Sequence, residues 1–192
     1  SFPMLYKIAI AHYYFGYIHP FYDGNGRTSR FISSMYLSKE LGPIAALSLS
    51  QGCYKFTKQY LESFEITNSI TNKGEMNYFI NNFLDIILET LKDMLSELKE
   101  KFELLNLAVK RIKNEPKLKD KSSYYENFMF ILAQNHFFAF NSGVTVKTIS
   151  EILNLSETTV RKITKDLIDL SLIEQKGIRP AYYYINEQYF ES

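Results

Sequence analysis

"HPFYDGNGRTSR", residues 19–30, decides how the first half of this chain is read. Before it, Leu5, Ile8, Ala9, His12, Tyr13 and Phe15 recur at helical spacing behind Pro3, which suits a first turn; the spacing predicts a buried helix from about Met4 to Tyr17. Pro20 disfavours helix at His19, and the glycines permit tight backbone geometry. After it, "RTSRFISSMYLSKEL" resumes the helical period until Gly42 and Pro43 stop it. The stretch is therefore a loop between two helices. It gathers a base, a carboxylate, a Gly-Asn-Gly turn and two arginines in one place.

Each of these has a chemical use. His19 has the side chain whose ordinary pKa lies nearest neutrality, which makes it the candidate general base. Asp23 offers hard oxygen ligands to magnesium, an ion that binds phosphates beside one or two carboxylates. Gly24, Asn25 and Gly26 let the backbone approach a ligand, and the helix starting near Arg27 presents unpaired N–H groups to an anion. Arg27 and Arg30, three apart on that helix, share a face and can clamp phosphate oxygens with planar guanidinium forks. Together they can hold a metal-bound polyphosphate and set a base beside it.

His19, Phe21, Asp23, Gly24, Asn25, Gly26, Arg27 and Arg30 match the signature HxFx[D/E]GNGRxxR, and in this the chain resembles Fic-domain AMP-transferases. The resemblance implies transfer of AMP from ATP, with magnesium, to a Tyr, Ser or Thr hydroxyl of a protein substrate, with loss of pyrophosphate. It implies that His19 deprotonates the hydroxyl, Asp23 holds magnesium, Asn25 contacts the α phosphate, Gly24, Gly26 and Arg27 cradle the rest, and Arg30 meets the γ phosphate. Phe21 is expected to anchor the loop in the core. Toxin relatives with lysine in place of Gly26 resemble protein kinases, so glycine there favours AMP transfer. Members of the family usually carry a hairpin flap and helices upstream of the motif. With 18 residues before His19, the chain is expected to be a fragment that lacks the flap and transfers poorly. "SSYYEN", Ser122 to Asn127, fits the family's inhibitory pattern [S/T]xxxE[G/N] but is read here as a helix N-cap.

Downstream, helices are expected around "SQGCYKFTKQYLESFEIT" and along "EMNYFINNFLDIILETLKDMLSELKEKFELLNLAVKRI", with "NSITNKGE" connecting them. Ile80, Leu84, Ile87, Leu91, Met94 and Leu98 form a seam, read first as an intramolecular core stripe and second as a homodimer face. Six basic residues, two acidic ones and Pro116 between Asn106 and Lys121 mark a linker. The expected division is a Fic domain at 1–113, a linker at 114–123 and a winged-helix domain at 124–192. In the last, three helices precede a hairpin around Gly177 and Pro180, and Ser156 caps the third helix. The fold class is mainly α with a small β wing.

Arg161, Lys162 and Lys165 on the third helix, with Lys176 and Arg179 in the wing, are candidate DNA contacts. Yet residues 124–192 carry six basic against eight acidic residues, a poor balance for neutralising phosphates, so a protein-interaction role competes. The formal net charge of +1 excludes a polycationic protein. The absence of a long apolar run excludes a membrane span, and with the single Cys53 it suits a cytoplasmic protein. Cys53, His12 and His136 are expected to be structural. Tyr54 and Tyr60, in a chain with 15 tyrosines, are read as packing first and as adenine-stacking groups second.

Overall fold

The computed structural model describes residues 3–139, 143–186 and 188–191. It is mainly helical, with one antiparallel hairpin near the C-terminus, and the chain forms two compact units, 1–97 and 98–192.

The first unit contains α1 (Met4–Ile18), α2 (Asn25–Leu41), α3 (Pro43–Lys55), α4 (Thr57–Asn68), a 3-10 turn at Ile70–Asn72, and the first part of α5 (Asn77–Lys113). Ile8, Ala9 and Tyr13 of α1, Leu37 of α2, Leu49 and Cys53 of α3, Tyr60 of α4 and Phe79, Phe83 and Ile86 of α5 form its core. Much of that core is aromatic. Phe64 meets Phe79 edge to face at 4.6 Å and Tyr60 at 5.3 Å, contacts worth about 0.5–1.5 kcal/mol each beyond their buried area. Ile80 and Ile87 of the expected seam are buried in this core, and Leu84 and Leu91 pack against it, whereas Leu98 is exposed.

Two boundaries differ from the sequence expectation. Gly42 does end α2, through its N–H to the Ser38 carbonyl at 3.0 Å, but Pro43 then opens α3 at the position where a missing N–H costs nothing. The helix expected across residues 50–67 is two helices. At Phe56 the backbone leaves helical geometry (φ −107°, ψ 35°), and the Thr57 hydroxyl takes up the carbonyls of Cys53 and Tyr54 at 2.9 and 2.7 Å. A side chain that competes for ladder acceptors bends the chain there. Tyr60 consequently faces inward on a separate helix.

The second unit contains the end of α5, a 3-10 turn at Pro116–Leu118, α6 (Ser123–Phe138), α7 (Val146–Leu153), α8 (Glu157–Asp169), β1 (Ile173–Lys176), β2 (Tyr182–Ile185) and a short α9 (Gln188–Glu191). Leu105, Ala108 and Ile112 of α5 join Phe128, Met129, Leu132, Ile149, Val160, Leu167 and Ile185 in one core. Leu118, in the segment expected to be a linker, is buried in it too. Ser156 caps α8 as expected, accepting from the Thr159 N–H at 3.2 Å. Ser122 occupies the N-cap position of α6 but makes no side-chain cap bond. β1 and β2 pair with Ile173 opposite Ile185, and Val144 bridges Tyr183 from the other side. The Tyr125 hydroxyl donates to Asp166 at 2.6 Å and ties α6 to α8.

Candidate functional site

α1 ends at His19, whose left-handed backbone (φ 50°) turns the chain out of the helix while its N–H still bonds the Phe15 carbonyl at 3.1 Å. The loop then runs to Gly24, which caps α2 at φ 82°, a conformation that a side chain would strain. Asn25, the first residue of α2, is 4% exposed and its amide grips both backbone groups of one loop residue: Oδ1 accepts from the Phe21 N–H at 3.0 Å, and Nδ2 donates to the Phe21 carbonyl at 2.5 Å. Nδ2 also lies 3.2 Å from His19 Nδ1.

This overturns one expectation. Phe21, read as the buried anchor, is 50% exposed with its ring beside Phe15, and Asn25 performs the anchoring. The amide of Asn25, expected to contact the α phosphate, bonds Phe21 and His19 in this structure. A buried amide with backbone partners on both sides holds a loop more tightly than a half-exposed ring does. Because the Phe21 N–H must face an oxygen, the Asn25 NH₂ faces His19, and His19 Nδ1 is an acceptor. The hydrogen of neutral His19 therefore sits on Nε2.

Gly24 N–H and Arg27 Nη2 both donate to Asp23, at 2.6 and 3.1 Å. Asp23 and Arg27 are well exposed, so their ion pair is a weak, exchangeable one. The first N–H groups of α2 have no acceptor within the helix. Gly26 keeps the backbone open beneath the second arginine, since a Cβ there would stand 3.2 Å from Arg30 Nη1. His19, Tyr22, Asp23, Gly24, Asn25, Gly26, Arg27 and Arg30 line a hollow of about 290 Å³. Tyr22 is fully exposed at its rim.

Arg27 and Arg30 also line a larger hollow of about 670 Å³ between α2, α3 and α4, walled by Phe31, Leu47, Tyr54, Thr57, Tyr60 and Leu61 among others. Sequence reasoning missed this cavity, because its walls come from three helices and only the arginines belong to the motif. Tyr54 stands free at its edge, 87% exposed. Tyr60 is buried and its hydroxyl bonds His12, so it packs rather than offering a face. Burial pushes the Cys53 thiol up to about 11, as expected of a structural cysteine.

Residues 1–37 match the Fic/DOC family. The match spans α1, the loop and most of α2, and therefore every residue of the motif. The Fic/DOC-like stretch supplies both arginines of the larger hollow, while α3 and α4, its other walls, lie beyond the matched residues.

The donor set fits magnesium in one way. Among the described residues no group of three or more His, Cys, Asp or Glu could hold a metal, so an ion here would rest on Asp23 and on phosphate oxygens brought by a ligand. Elsewhere, Arg161 on α8 pairs with Glu157 at 3.1 Å, while Lys162 and Lys165 are exposed. His136 lies at the surface at the end of α6, its ring edge against Phe137. Among the described residues no helix is long and apolar enough to cross a membrane.

Proposed function

We propose that this chain transfers AMP from ATP to a Tyr, Ser or Thr hydroxyl of a protein substrate in the cytoplasm. One observation carries the reading: a small polar hollow around the motif and a larger apolar one share Arg27 and Arg30. That pairing suits a ligand with a polyphosphate at one end and a nucleoside at the other. The amides from Gly24 to Arg27 and the two guanidinium groups take the phosphates, with Arg30 towards the γ phosphate. Tyr54 offers a face to the base. Asp23 leaves its weak pair with Arg27 to hold magnesium, which neutralises charge on the phosphates when bound.

The reaction is an in-line displacement. The target oxygen bonds to the α phosphorus, the bond from that phosphorus to the bridging oxygen breaks, and pyrophosphate leaves. The target's proton passes to His19 Nε2, which needs the hydrogen on Nδ1. Asn25 holds the other tautomer, so the His19–Asn25 contact opens before transfer. Labelled AMP transfer from ATP, assayed on candidate protein substrates with wild type and His19→Ala, tests the proposal; labelling that survives in His19→Ala overturns it.

For residues 124–192 the proposal is a winged helix: α6, a tight α7–α8 turn through Asn154 at φ 53°, and a hairpin wing. The pairing of Arg161 with Glu157 and the acidic balance favour a protein-binding role over DNA binding.

A further inference from the structure

We infer that a hollow between α1 and the turn after α4 binds an acidic side chain of the protein substrate, two or three residues from the hydroxyl that receives AMP. The inference rests on the proposed transfer and names a substrate class for it.

The hollow holds about 320 Å³ and lies within the first unit. Tyr13, Tyr14 and Tyr17 of α1 form one wall, and Thr67 at the end of α4 with Lys73 in the following turn forms the other. Both walls are held in place. The Tyr13 hydroxyl donates to Asn68 Oδ1 at 2.7 Å, which ties α1 to the end of α4. Asn72 staples the turn, its Nδ2 donating to the Thr67 carbonyl at 3.2 Å and to the Glu75 carbonyl at 2.6 Å.

The chemistry of the walls selects a carboxylate. Among the described residues, Lys73 is the one charged side chain that lines the hollow, and it makes no ion pair. Glu75, close by in sequence, stays outside the lining and accepts from Asn77 Nδ2 at 2.8 Å. Lys73 stands at φ 51°, a left-handed conformation that strains a lysine and that turns ordinarily give to asparagine or glycine. The turn itself has no use for a lysine. Thr67 is 2% exposed, and its hydroxyl has no hydrogen-bond partner, whereas Thr57, Thr90 and Thr164 all return theirs to a carbonyl of the preceding turn. Valine would fill the same space without leaving a buried donor unsatisfied. A cation could meet the tyrosine faces, but Lys73 repels it. A carboxylate instead meets donors only: the Lys73 ammonium and the hydroxyls of Thr67, Tyr14 and Tyr17.

The place sets the spacing. The three tyrosines lie two to six residues before His19, about 3–9 Å along the helix axis, and an extended peptide covers about 3.3 Å per residue. An acid seated among them is therefore two or three residues from a hydroxyl at His19.

The test uses the full chain and the capped peptides Glu-Ala-Ala-Tyr and Tyr-Ala-Ala-Glu, each beside its Gln counterpart. In amide-shift titrations the better Glu peptide should move Tyr17 and Lys73 and bind about fivefold tighter than its Gln form, the scale of one exposed ion pair. Sodium chloride at about 0.5 M should erase the difference. Lys73→Gln should abolish the preference and Lys73→Arg should keep it, both with ATP affinity within twofold of wild type. Thr67→Val should keep the wild-type melting temperature and bind the Glu peptide about threefold more weakly. Equal affinity for both Glu peptides and their Gln forms, a preference that survives Lys73→Gln, or shifts that miss Tyr17 and Lys73 would overturn the site. With ATP and magnesium, AMP labelling should favour the Glu peptide; labelling without preference, although the acid binds, would overturn the substrate role alone. A chain that seats the acid but labels no peptide or protein would overturn the transfer reading and the substrate role with it.

Discussion

Asn25 donates through Nδ2 to Nδ1 of His19 at 3.2 Å while gripping both polar groups of Phe21. The residue that fixes the loop therefore also sets which nitrogen of the histidine carries its hydrogen. Replacing Asn25 with Ala strips the Phe21 N–H and the Phe21 carbonyl of their shared partner and should cost about 1–3 kcal/mol. Denaturant unfolding of the variant checks the magnitude, and the 15N shifts of His19 should show its tautomers mixing.

Gly24 is strained for any side chain but crowded by none: its nearest neighbours to a Cβ are the tips of Arg27, 3.7 Å away. Gly24→Ala should lower stability by about 1–2 kcal/mol through backbone strain alone. Gly24→Asn should cost less, because asparagine tolerates the left-handed region. Parallel melting curves of the two variants distinguish strain from steric clash, which would penalise the larger asparagine more.

His12 gives the fold a dependence on acid. Unfolded, it takes up a proton near 6.5; folded, only near 4, because burial and Arg30 disfavour the charged ring. Between those values the unfolded state binds more protons, so stability falls as pH drops through that window, by on the order of 3 kcal/mol in all. Unfolding free energies from pH 7.5 to 4.5 should show this slope in the wild type, and His12→Asn should flatten it whatever its own stability.

His19→Ala and Arg27→Ala should fail differently. Losing the base should cut AMP transfer by about 10²–10⁴-fold while ATP affinity stays within about threefold. Losing a guanidinium that meets phosphate in the ground state should weaken ATP binding by about tenfold. Single-turnover assays beside calorimetry separate the two.

The motif loop was legible because its residues are contiguous and each type has a narrow chemical use. Helices α1, α5 and α8 were legible because their apolar residues keep period. What escaped depends on partners distant in sequence or on competition within a few residues. His12 and Tyr60 are 48 positions apart, so their bond leaves no local pattern. The break at Phe56 turns on the Thr57 hydroxyl winning two carbonyls from the helix ladder. Phe21 was not the anchor expected, because the loop is held instead by the Phe21 N–H and C=O, a pair of backbone groups that an amide such as Asn25 can satisfy together.

Tyr22 stands fully in solvent at the lip of the smaller hollow, in a chain whose sequence contains no tryptophan. A single indole placed there would be the protein's sole long-wavelength fluorophore. The site thus comes with a dark background, against which occupancy of the loop can be watched optically, in real time and without labelling either partner.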